Sequence, residues 1–398
     1  MPTPGADFSF AKVIAPCEPE VFFRDYYEKK PLILRRDSPR YYDGLASLDM
    51  IDSYLTTTQP RTAAVSLFKN DQAAKPEDYS NGDRRVDPVA ALRFFHEGWT
   101  IVLTQMQSHF PGLAALCRSA EAEFSGQFKT NLYLTPAGAQ GFAAHWDTHD
   151  VFALQVSGSK AWSLYDTQVE LPLRGQAREK GKDKPGALTR EFTLRAGDML
   201  YCPRGLIHDA RSTDEVSLHI TCGLLARTWA DLILESVAAI ALRRPELRRN
   251  LPRGFARDGF DASAHEAEFR AMLGLIAKHA PLKPVFDLMA EQFVASRPPL
   301  ATGQMRQLLA LPELTARARL GARPGLVWRI VRGQTAMSLF CQGVELTLPA
   351  FALDAVRFAM ATAEFTSAQL PGDFDEEGKL TLARRLITEG FVRALDAE

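Results

Sequence analysis

The sequence has 398 residues, 46% of them apolar and 24% charged, with 47 Lys and Arg against 48 Asp and Glu. This is the composition of a folded globular protein of two or three domains, which excludes disordered and collagen-like classes. The formal net charge of −1 gives no overall attraction for polyanions, so direct nucleic-acid binding is not expected.

The cysteines and the hydrophobic runs indicate where the protein resides. The five cysteines follow no CxxC spacing, so neither a disulfide framework nor a structural zinc site is predicted, and a reducing cytoplasm fits best. No stretch reaches the roughly 18 apolar residues of a membrane span, and residues 1–20 lack the basic start and apolar run of a signal peptide. We therefore expect a soluble, unprocessed, cytoplasmic protein.

The first 125 residues combine helical and strand-like patterns. Apolar residues at helical spacing predict helices over 21–29 and 88–96, and short apolar runs predict strands over 31–35 and 99–103. We expect this mixed segment to surround the domain that follows it.

From residue 129 to about 225 the pattern becomes β-rich. Turn sequences such as Pro-Ala-Gly, Ser-Gly-Ser and Pro-Arg-Gly separate short segments that are typical of strands. The predicted strands cover 132–135, 151–156, 161–165, 190–194, 199–201 and 216–223. Many short strands with frequent turns predict a small β-barrel or sandwich. The polar, basic stretch 174–185 inside this region is predicted to be an exposed loop.

Helical spacing returns after residue 227. Trp229, Leu232 and Ile233 belong to one apolar stripe, and Phe269 and Met272 belong to another. This pattern predicts a helical domain. Such stripes form either an intramolecular core or a dimer interface, and the pattern leaves both open.

The region from about residue 300 onward is predicted to be a small module of helices and a hairpin. The predicted helices cover 304–311, 349–363 and 379–386, and the predicted strands cover 326–331 and 336–341. Residues 301–398 contain 11 Lys and Arg and 11 Asp and Glu, and this balance weakens a DNA-binding interpretation.

The residues that point to chemistry are His145, Asp147 and His208. In an extended segment alternate side chains share one face, so His145 and Asp147 can hold one metal ion together. His208 follows a predicted strand between Gly-Asp and Pro-Arg-Gly turns, which can return the chain to the same place. Two imidazoles and one carboxylate form the facial triad of non-haem Fe(II) oxygenases. The alternative is two hydrogen-bonded barrel histidines and a turn-forming aspartate.

Lys160 lies in a predicted hairpin, on the same strand face as Trp162 and Leu164. A lysine that points into an apolar barrel is costly unless an anion meets it. The C5 carboxylate of 2-oxoglutarate is a suitable anion, because this diacid chelates iron through its other end. A surface lysine in the hairpin is the alternative.

Further polar residues share faces of the predicted strands. Asn131 and Tyr133 lie on one face before the first histidine, and Ser217, His219 and Thr221 lie on one face after the last. All five are candidate cosubstrate contacts, and each taken singly also suits a structural hydrogen-bonding role.

His149 is a competing ligand, because it has the same strand parity as His145. We rank it second to Asp147, since a carboxylate lowers the net charge of an Fe(II) site. The histidines without partner spacing are assigned structural roles: His96, His109, His265 and His279.

Taken together, these residues resemble the JmjC-type ribosomal oxygenases, a family of cupin-fold protein hydroxylases. The shared stretches are TNLYLTPAGAQG leading into HWD, then DVFALQ, GSK, YCPRGLIH and SLHIT, with FFRDYYEKKPLIL near the N-terminus. The resemblance is dense over about 20–225 and only architectural beyond it.

This resemblance implies a mixed α and β chain of three domains. A double-stranded β-helix, the JmjC or cupin barrel, with an N-terminal mixed extension would occupy 1–226. A helical dimerisation domain would occupy 227–299, and a winged-helix-like domain would occupy 300–398.

The resemblance also implies the roles of the site residues. His145, Asp147 and His208 would bind Fe(II) and form the catalytic centre, and Lys160 would bind the C5 carboxylate of 2-oxoglutarate. Dioxygen is the other cosubstrate. The histidyl-hydroxylating branch of the family has lysine at this position and the bacterial arginyl-hydroxylating branch has arginine, so the chain resembles the former there.

The implied partners are a ribosomal protein, hydroxylated on a His or Arg side chain, and a second copy of the chain bound through the helical domain. Other functions remain open from the sequence. They are demethylation of methylated lysine, hydroxylation of another protein or a small molecule, and a non-catalytic cupin scaffold that binds protein or metal without turnover.

Overall fold

The computed structural model describes residues 8–167, 169–176 and 184–397. Its contacts divide the chain into two compact units, Met1–Ala226 and Arg227–Glu398. Part of the basic stretch 174–185, which the sequence predicts to be a loop, lies outside the described residues. Among the described helices, none combines the length and the apolar character that a bilayer crossing requires.

The first unit contains both helices and strands. Its helices are α1 (Phe10–Ile14), α2 (Pro19–Asp25), α3 (Leu48–Thr57), α4 (Pro88–His96) and α5 (Pro111–Phe124). Its strands are β1 (Leu32–Leu34), β2 (Val65–Lys69), β3 (Gln72–Ala73), β4 (Thr100–Leu103), β5 (Gln127–Thr135), β6 (Asp150–Ser157), β7 (Ser159–Tyr165), β8 (Leu188–Arg195), β9 (Met199–Cys202), β10 (Ile207–Ser212) and β11 (Ser217–Leu225).

Two antiparallel sheets build the barrel of this unit. The larger sheet has the strand order β1-β9-β6-β11-β5-β4-β2-β3, and the smaller has the order β10-β7-β8. Side chains from both sheets meet in one apolar cluster that includes Val151, Trp162, Leu194 and Leu200. Strands that are not adjacent in sequence therefore pair and enclose a common interior, as expected for a cupin-type barrel.

The outer face of the larger sheet packs against the N-terminal helices. On β6, Val151 faces the barrel interior, whereas Phe152 joins an outer cluster with Phe10 of α1 and Phe22 of α2. Because both faces of β6 are covered, residues 151–154 form a continuous apolar run without alternation. The Phe10 and Phe152 rings meet edge to face at 5.8 Å, and truncation of Phe152 to alanine would cost about 3–5 kcal/mol.

A tight turn between β6 and β7 places Lys160. Gly158 has a φ of 63°, and a Cβ there would lie 1.9 Å from the carbonyl oxygen of Val216, so only glycine fits. The register that follows pairs Lys160 with Ser212 on β10 and with Leu194 on β8.

The second unit contains six helices and five strands in the part that the structure describes. The helices are α6 (Trp229–Ala241), α7 (Glu266–His279), α8 (Leu282–Ala295), α9 (Gln304–Ala310), α10 (Leu353–Ala361) and α11 (Glu376–Thr388). The strands are β12 (Leu320–Ala322), β13 (Trp328–Arg332), β14 (Ala336–Cys341), β15 (Val344–Pro349) and β16 (Val392–Ala394). Strands β13, β14 and β15 form one sheet, and β12 pairs with β16. The core of the region from α9 onward includes Leu339, Val356 and Leu386.

Candidate active site

Three side chains from two distant stretches converge at the barrel. One potential ligand atom from each of His145, Asp147 and His208 lies within 4.8 Å of the others, and His208 Nε2 is 3.7 Å from Asp147 Oδ2. The backbone holds the two stretches together. His145 and His208 exchange amide-to-carbonyl hydrogen bonds of 3.0 and 2.8 Å, and the Gly205 amide donates to the Asp147 carbonyl at 3.0 Å.

The two imidazoles are oriented by backbone carbonyls. His145 Nδ1 is 2.8 Å from the Ala143 oxygen, and His208 Nδ1 is 3.0 Å from the Leu206 oxygen. A proton on each Nδ1 satisfies these contacts and leaves each Nε2 lone pair available to a metal. Burial, then the neighbouring imidazole, lowers the pKa of His208, which favours the neutral ring.

The carboxyl of Asp147 is ionised despite its environment. Burial opposes its ionisation, but the imidazoles of the three neighbouring histidines outweigh that effect and hold the pKa of Asp147 below its ordinary value. The cluster therefore offers two imidazole nitrogen donors and one anionic oxygen donor.

The segment that carries His145 and Asp147 is not the extended strand that the sequence predicts. Between β5 and β6 the chain is irregular, and His145 makes a single β-bridge, to His208. His149 is not part of the converging group. Its ring packs against Gly223, where a Cβ would lie 2.6 Å from the imidazole.

A cavity of about 280 Å³ extends from the cluster into the barrel, and Lys160 lines it. The side chain is buried, and its Nζ donates to the Thr135 hydroxyl at 3.2 Å. Burial lowers the pKa of Lys160 to about 7. No carboxylate pairs with this ammonium among the residues that the structure describes.

Two further polar groups of the cavity wall lack partners. Trp162 Nε1 and His219 Nδ1 are buried and have no hydrogen-bond partner in the described part of the chain. Burial, then the Lys160 charge, lowers the pKa of His219 well below its ordinary value, so its ring is neutral. The cavity thus presents an ammonium, an unsatisfied indole N–H and an unsatisfied imidazole nitrogen, which suit an anionic or strongly polar guest.

Asn131, Tyr133 and Thr221 also line the cavity. The register of β5 and β11 places Tyr133 opposite His219 and Asn131 opposite Thr221. The Tyr133 and His219 rings stack with their centroids 4.7 Å apart. Asn131 Oδ1 accepts from the backbone amide of Gln105 at 3.1 Å, which holds the Asn131 side chain in place.

Ser217 is not brought to the cavity. It is fully buried, and its hydroxyl accepts from Gln155 Nε2 at 2.9 Å. The strand parity that it shares with His219 is therefore insufficient, because Ser217 is the first residue of β11 and its side chain bonds to Gln155 of β6.

Sequence reasoning missed a charged clamp behind the cluster. The Asp150 carboxylate has no solvent exposure and accepts from the Tyr201 hydroxyl at 2.7 Å and from Arg204 Nη1 at 3.1 Å. Arg204 Nη1 also pairs with Glu28 at 2.5 Å. The signal in the sequence is the arginine of the Pro-Arg-Gly motif, whose pattern by itself predicts only a turn. The clamp joins β6, the stretch before His208 and the N-terminal segment.

An aromatic wall also escaped prediction. Phe142 lines the cavity, and its ring lies 4.4 Å from Phe68, 6.0 Å from Tyr133 and 6.0 Å from His145 between centroids. The loop that carries Phe142 is tied to the turn between β2 and β3, where the Asp71 amide donates to the Gly141 carbonyl at 2.8 Å. A flat apolar surface thus stands beside the cluster.

Comparisons with known proteins agree with this geometry. A family model described as JmjC domain matches residues 105–232, which include the cluster and Lys160. A protein of Aedes aegypti named Bifunctional lysine-specific demethylase and histidyl-hydroxylase NO66 is 34% identical over 254 residues, 61% of this chain and 39% of that protein. The chain spans about half the length of several curated relatives that it matches.

The fold is shared with YcfD, a ribosomal oxygenase from Escherichia coli that was solved in complex with cobalt and 2-oxoglutarate. The TM-score is 0.53 at 16% identity, over 93% of this chain and 96% of that one. Ribosomal oxygenase 2 of Bos taurus is 30% identical over 335 residues, 80% of this chain and 72% of that protein. These findings confirm the resemblance drawn from the sequence, and the chain belongs to the JmjC-domain ribosomal oxygenase family.

Proposed function

We propose that the protein is an Fe(II)- and 2-oxoglutarate-dependent oxygenase that hydroxylates a His or Arg side chain of a ribosomal protein. The observation that carries the proposal is one cavity that joins a His-Asp-His cluster to a buried lysine, which has no counter-ion among the described residues. The names of the relatives, ribosomal oxygenase and histidyl-hydroxylase, support the substrate class.

The donor set fits the metal. His145, Asp147 and His208 would hold Fe(II) through two imidazole nitrogens and one carboxylate, an arrangement that leaves positions open for cosubstrate. The chemistry that iron and 2-oxoglutarate supply when bound is oxidative decarboxylation with dioxygen, which yields succinate, carbon dioxide and one new hydroxyl group. The residues of the chain bind, orient and exclude water around it.

Lys160 would bind the distal carboxylate of 2-oxoglutarate. Its ammonium now meets one hydroxyl, at 3.2 Å, and a carboxylate beside it would compensate the cost of burial. Asn131 and Tyr133 of β5 and Thr221 of β11 would add hydrogen bonds, because these residues line the same cavity.

The aromatic wall favours a planar target side chain. Phe142 stands beside His145 and is backed by Phe68, so an imidazole or guanidinium that enters can stack on its face. Lysine at position 160 and the relative named histidyl-hydroxylase support histidine as the first choice and arginine as the second.

A lysine demethylase is the second candidate, because the same relative is also named a lysine-specific demethylase. The two activities leave different products. Hydroxylation adds the mass of one oxygen to the substrate, whereas demethylation removes a methylene equivalent and releases formaldehyde.

We further infer three domains over 1–226, 227–299 and 300–398, the last resembling a winged helix through its β13–β15 sheet and flanking helices.

A homodimer through the helical domain is supported by apolar side chains of α6 and its end, where Trp229, Leu234 and Leu242 are 70%, 68% and 81% exposed. The five free cysteines support a cytoplasmic location.

The test is a mass measurement on intact ribosomal proteins from cells that lack the chain. Incubated with the purified protein, Fe(II), 2-oxoglutarate and air, one of them should gain a single oxygen atom, with matching succinate release. Omission of Fe(II) or of 2-oxoglutarate should abolish the gain. If no ribosomal protein changes mass while methyl-lysine peptides release formaldehyde, the demethylase assignment replaces this one.

A further inference from the structure

The second unit has a groove of its own, with a volume of about 520 Å³. Ligand pockets occupy roughly 300–1,000 Å³, so the groove can take a bulky side chain and its neighbours. Its walls are the end of β15, the turn that leads into α10 and the first turns of α11. Apolar side chains line it: Leu348, Phe351, Phe374 and Leu382.

Phe351 is the most informative of the apolar residues that line the groove, which together form its floor. Its side chain is 66% exposed, and its ring lies 5.2 Å from that of Phe374. An aromatic ring left this accessible beside a second ring in a groove is typical of a binding surface rather than of a core.

The rim of the groove is acidic. Asp373, Asp375, Glu376 and Glu377 are all exposed at the start of α11, and Asp375 and Glu377 line the groove. Within the described ranges none of these four carboxylates forms an ion pair. Asp375 caps the Gly378 amide at 2.8 Å and keeps its negative charge at the rim.

The cations of α11 do not cancel this charge in the groove. Arg385 lines the groove but pairs with Glu389 at 2.7 Å. Lys379 and Arg384 are not among the residues that line the groove. Their side chains point to the carbonyls of Ala368, at 3.0 Å, and of Leu314. The groove therefore combines an apolar floor with a rim of net negative charge.

We propose that this groove binds a lysine- and arginine-rich segment of a protein partner, with one bulky apolar side chain of that segment inserted beside Phe351. The buried anchor supplies most of the affinity, and the acidic rim selects basic sequences and speeds their association. A nucleic acid would be repelled by the rim. The competing occupant is a second copy of this chain. The proposal does not depend on the oxygenase chemistry.

The experiment uses the full chain and a short fluorescein-labelled peptide in which lysines and arginines flank one phenylalanine. Fluorescence anisotropy should show saturable binding that weakens with added salt. Two comparison peptides, one with serine for phenylalanine and one with glutamates for the basic residues, should bind far less.

Matched variants locate the site. Phe351→Ala should weaken binding about tenfold or more, whereas Leu309→Ala, at a residue that is 76% exposed, should have no effect. Asp373→Asn with Glu377→Gln should weaken binding about five- to tenfold and flatten its salt dependence. The control pair Glu246→Gln with Asp258→Asn removes two exposed acids of the same unit and should leave binding unchanged.

Other results overturn the proposal. If the glutamate peptide binds as tightly as the basic peptide, the acidic rim has no role in recognition. If the control pair of substitutions weakens peptide binding as much as the rim pair does, the effect is one of overall charge. If Phe351→Ala instead changes the sedimentation coefficient of the protein and leaves peptide binding intact, the groove is an interface between copies of the chain.

Discussion

The two ends of the cavity in the first unit hold their charged groups in opposite ways. At the cluster end, the two imidazoles are fixed by carbonyl oxygens and face the carboxylate of Asp147. At the lysine end, the buried ammonium of Lys160 meets a single hydroxyl. One end is a preformed set of donors that needs a cation, and the other is a buried cation that needs an anion. A divalent metal ion chelated by one end of a diacid, with the distal carboxylate of that diacid beside Lys160, would satisfy both at once.

This difference predicts that damage to the cluster end has the largest effect. Asp147→Ala removes the one anionic donor, so the affinity for Mn(II) or Co(II), measured by calorimetry, should fall at least about 100-fold and activity should be lost. Asp166→Asn, an exposed carboxyl of the same unit, is the matched control and should bind metal normally. Retained metal affinity in the Asp147 variant would place the metal elsewhere.

Damage to the lysine end should separate binding from stability. Lys160→Met removes the cation that the distal carboxylate of 2-oxoglutarate needs. The dissociation constant for 2-oxoglutarate should therefore rise about 100- to 1,000-fold. The same change relieves an unpaired buried charge, so the ligand-free variant should be about 1–3 kcal/mol more stable to unfolding. Metal affinity should be unchanged. Lys75→Met, an exposed lysine, should alter neither quantity.

The stability gain of Lys160→Met should depend on pH with a definite sign. Burial lowers the pKa of Lys160 from 10.5 to about 7, so between these values the unfolded chain binds more protons and wild-type stability rises with pH. The advantage of the variant is therefore largest below about pH 7 and shrinks toward pH 10.5. Thermal unfolding across this range measures it, and an advantage that grows with pH would show that Lys160 is not buried as a cation.

The lysine end was more open to sequence-based prediction than the cluster end. The placement of Lys160 with Trp162, and of Asn131 with Tyr133, follows from the two-residue period of strands, which is a local property of the chain. The mixed fold with a JmjC domain was also predictable, because its turns and motifs lie in the sequence.

Long-range contacts could not be predicted in the same way. The Arg204 clamp depends on Asp150, which is 54 positions away, and on Glu28 in the N-terminal segment. The irregular backbone around His145 is fixed by a bridge to His208 rather than by its own sequence. Ser217 shows the limit of the period itself, since it shares the parity of His219 but its hydroxyl accepts from Gln155, a contact between residues 62 positions apart.

Substitutions in the Asp150 and Arg204 clamp should have effects of intermediate size, mainly on the cluster end of the cavity. Asp150→Asn weakens the tie between β6 and the stretch before His208, so metal affinity should fall about tenfold while 2-oxoglutarate affinity of the metal-loaded protein changes little. Tyr201→Phe removes the hydrogen bond that the hydroxyl donates to Asp150 and the one that it accepts from the Glu28 amide, so it should cost about 1–3 kcal/mol of stability, with a smaller loss of metal affinity. If the affinity for metal and the affinity for 2-oxoglutarate fall by the same factor, the variants are unfolding in general instead.

The smallest expected effect concerns the aromatic wall, which belongs to neither charged end. Phe142→Ala removes the ring beside His145 but no charge, so KM for the protein substrate should rise about three- to tenfold while kcat and the affinity for 2-oxoglutarate stay near wild type. Phe142→Tyr keeps the ring and should restore KM. A fall in kcat without a change in KM would mean that the wall positions His145 rather than the incoming side chain.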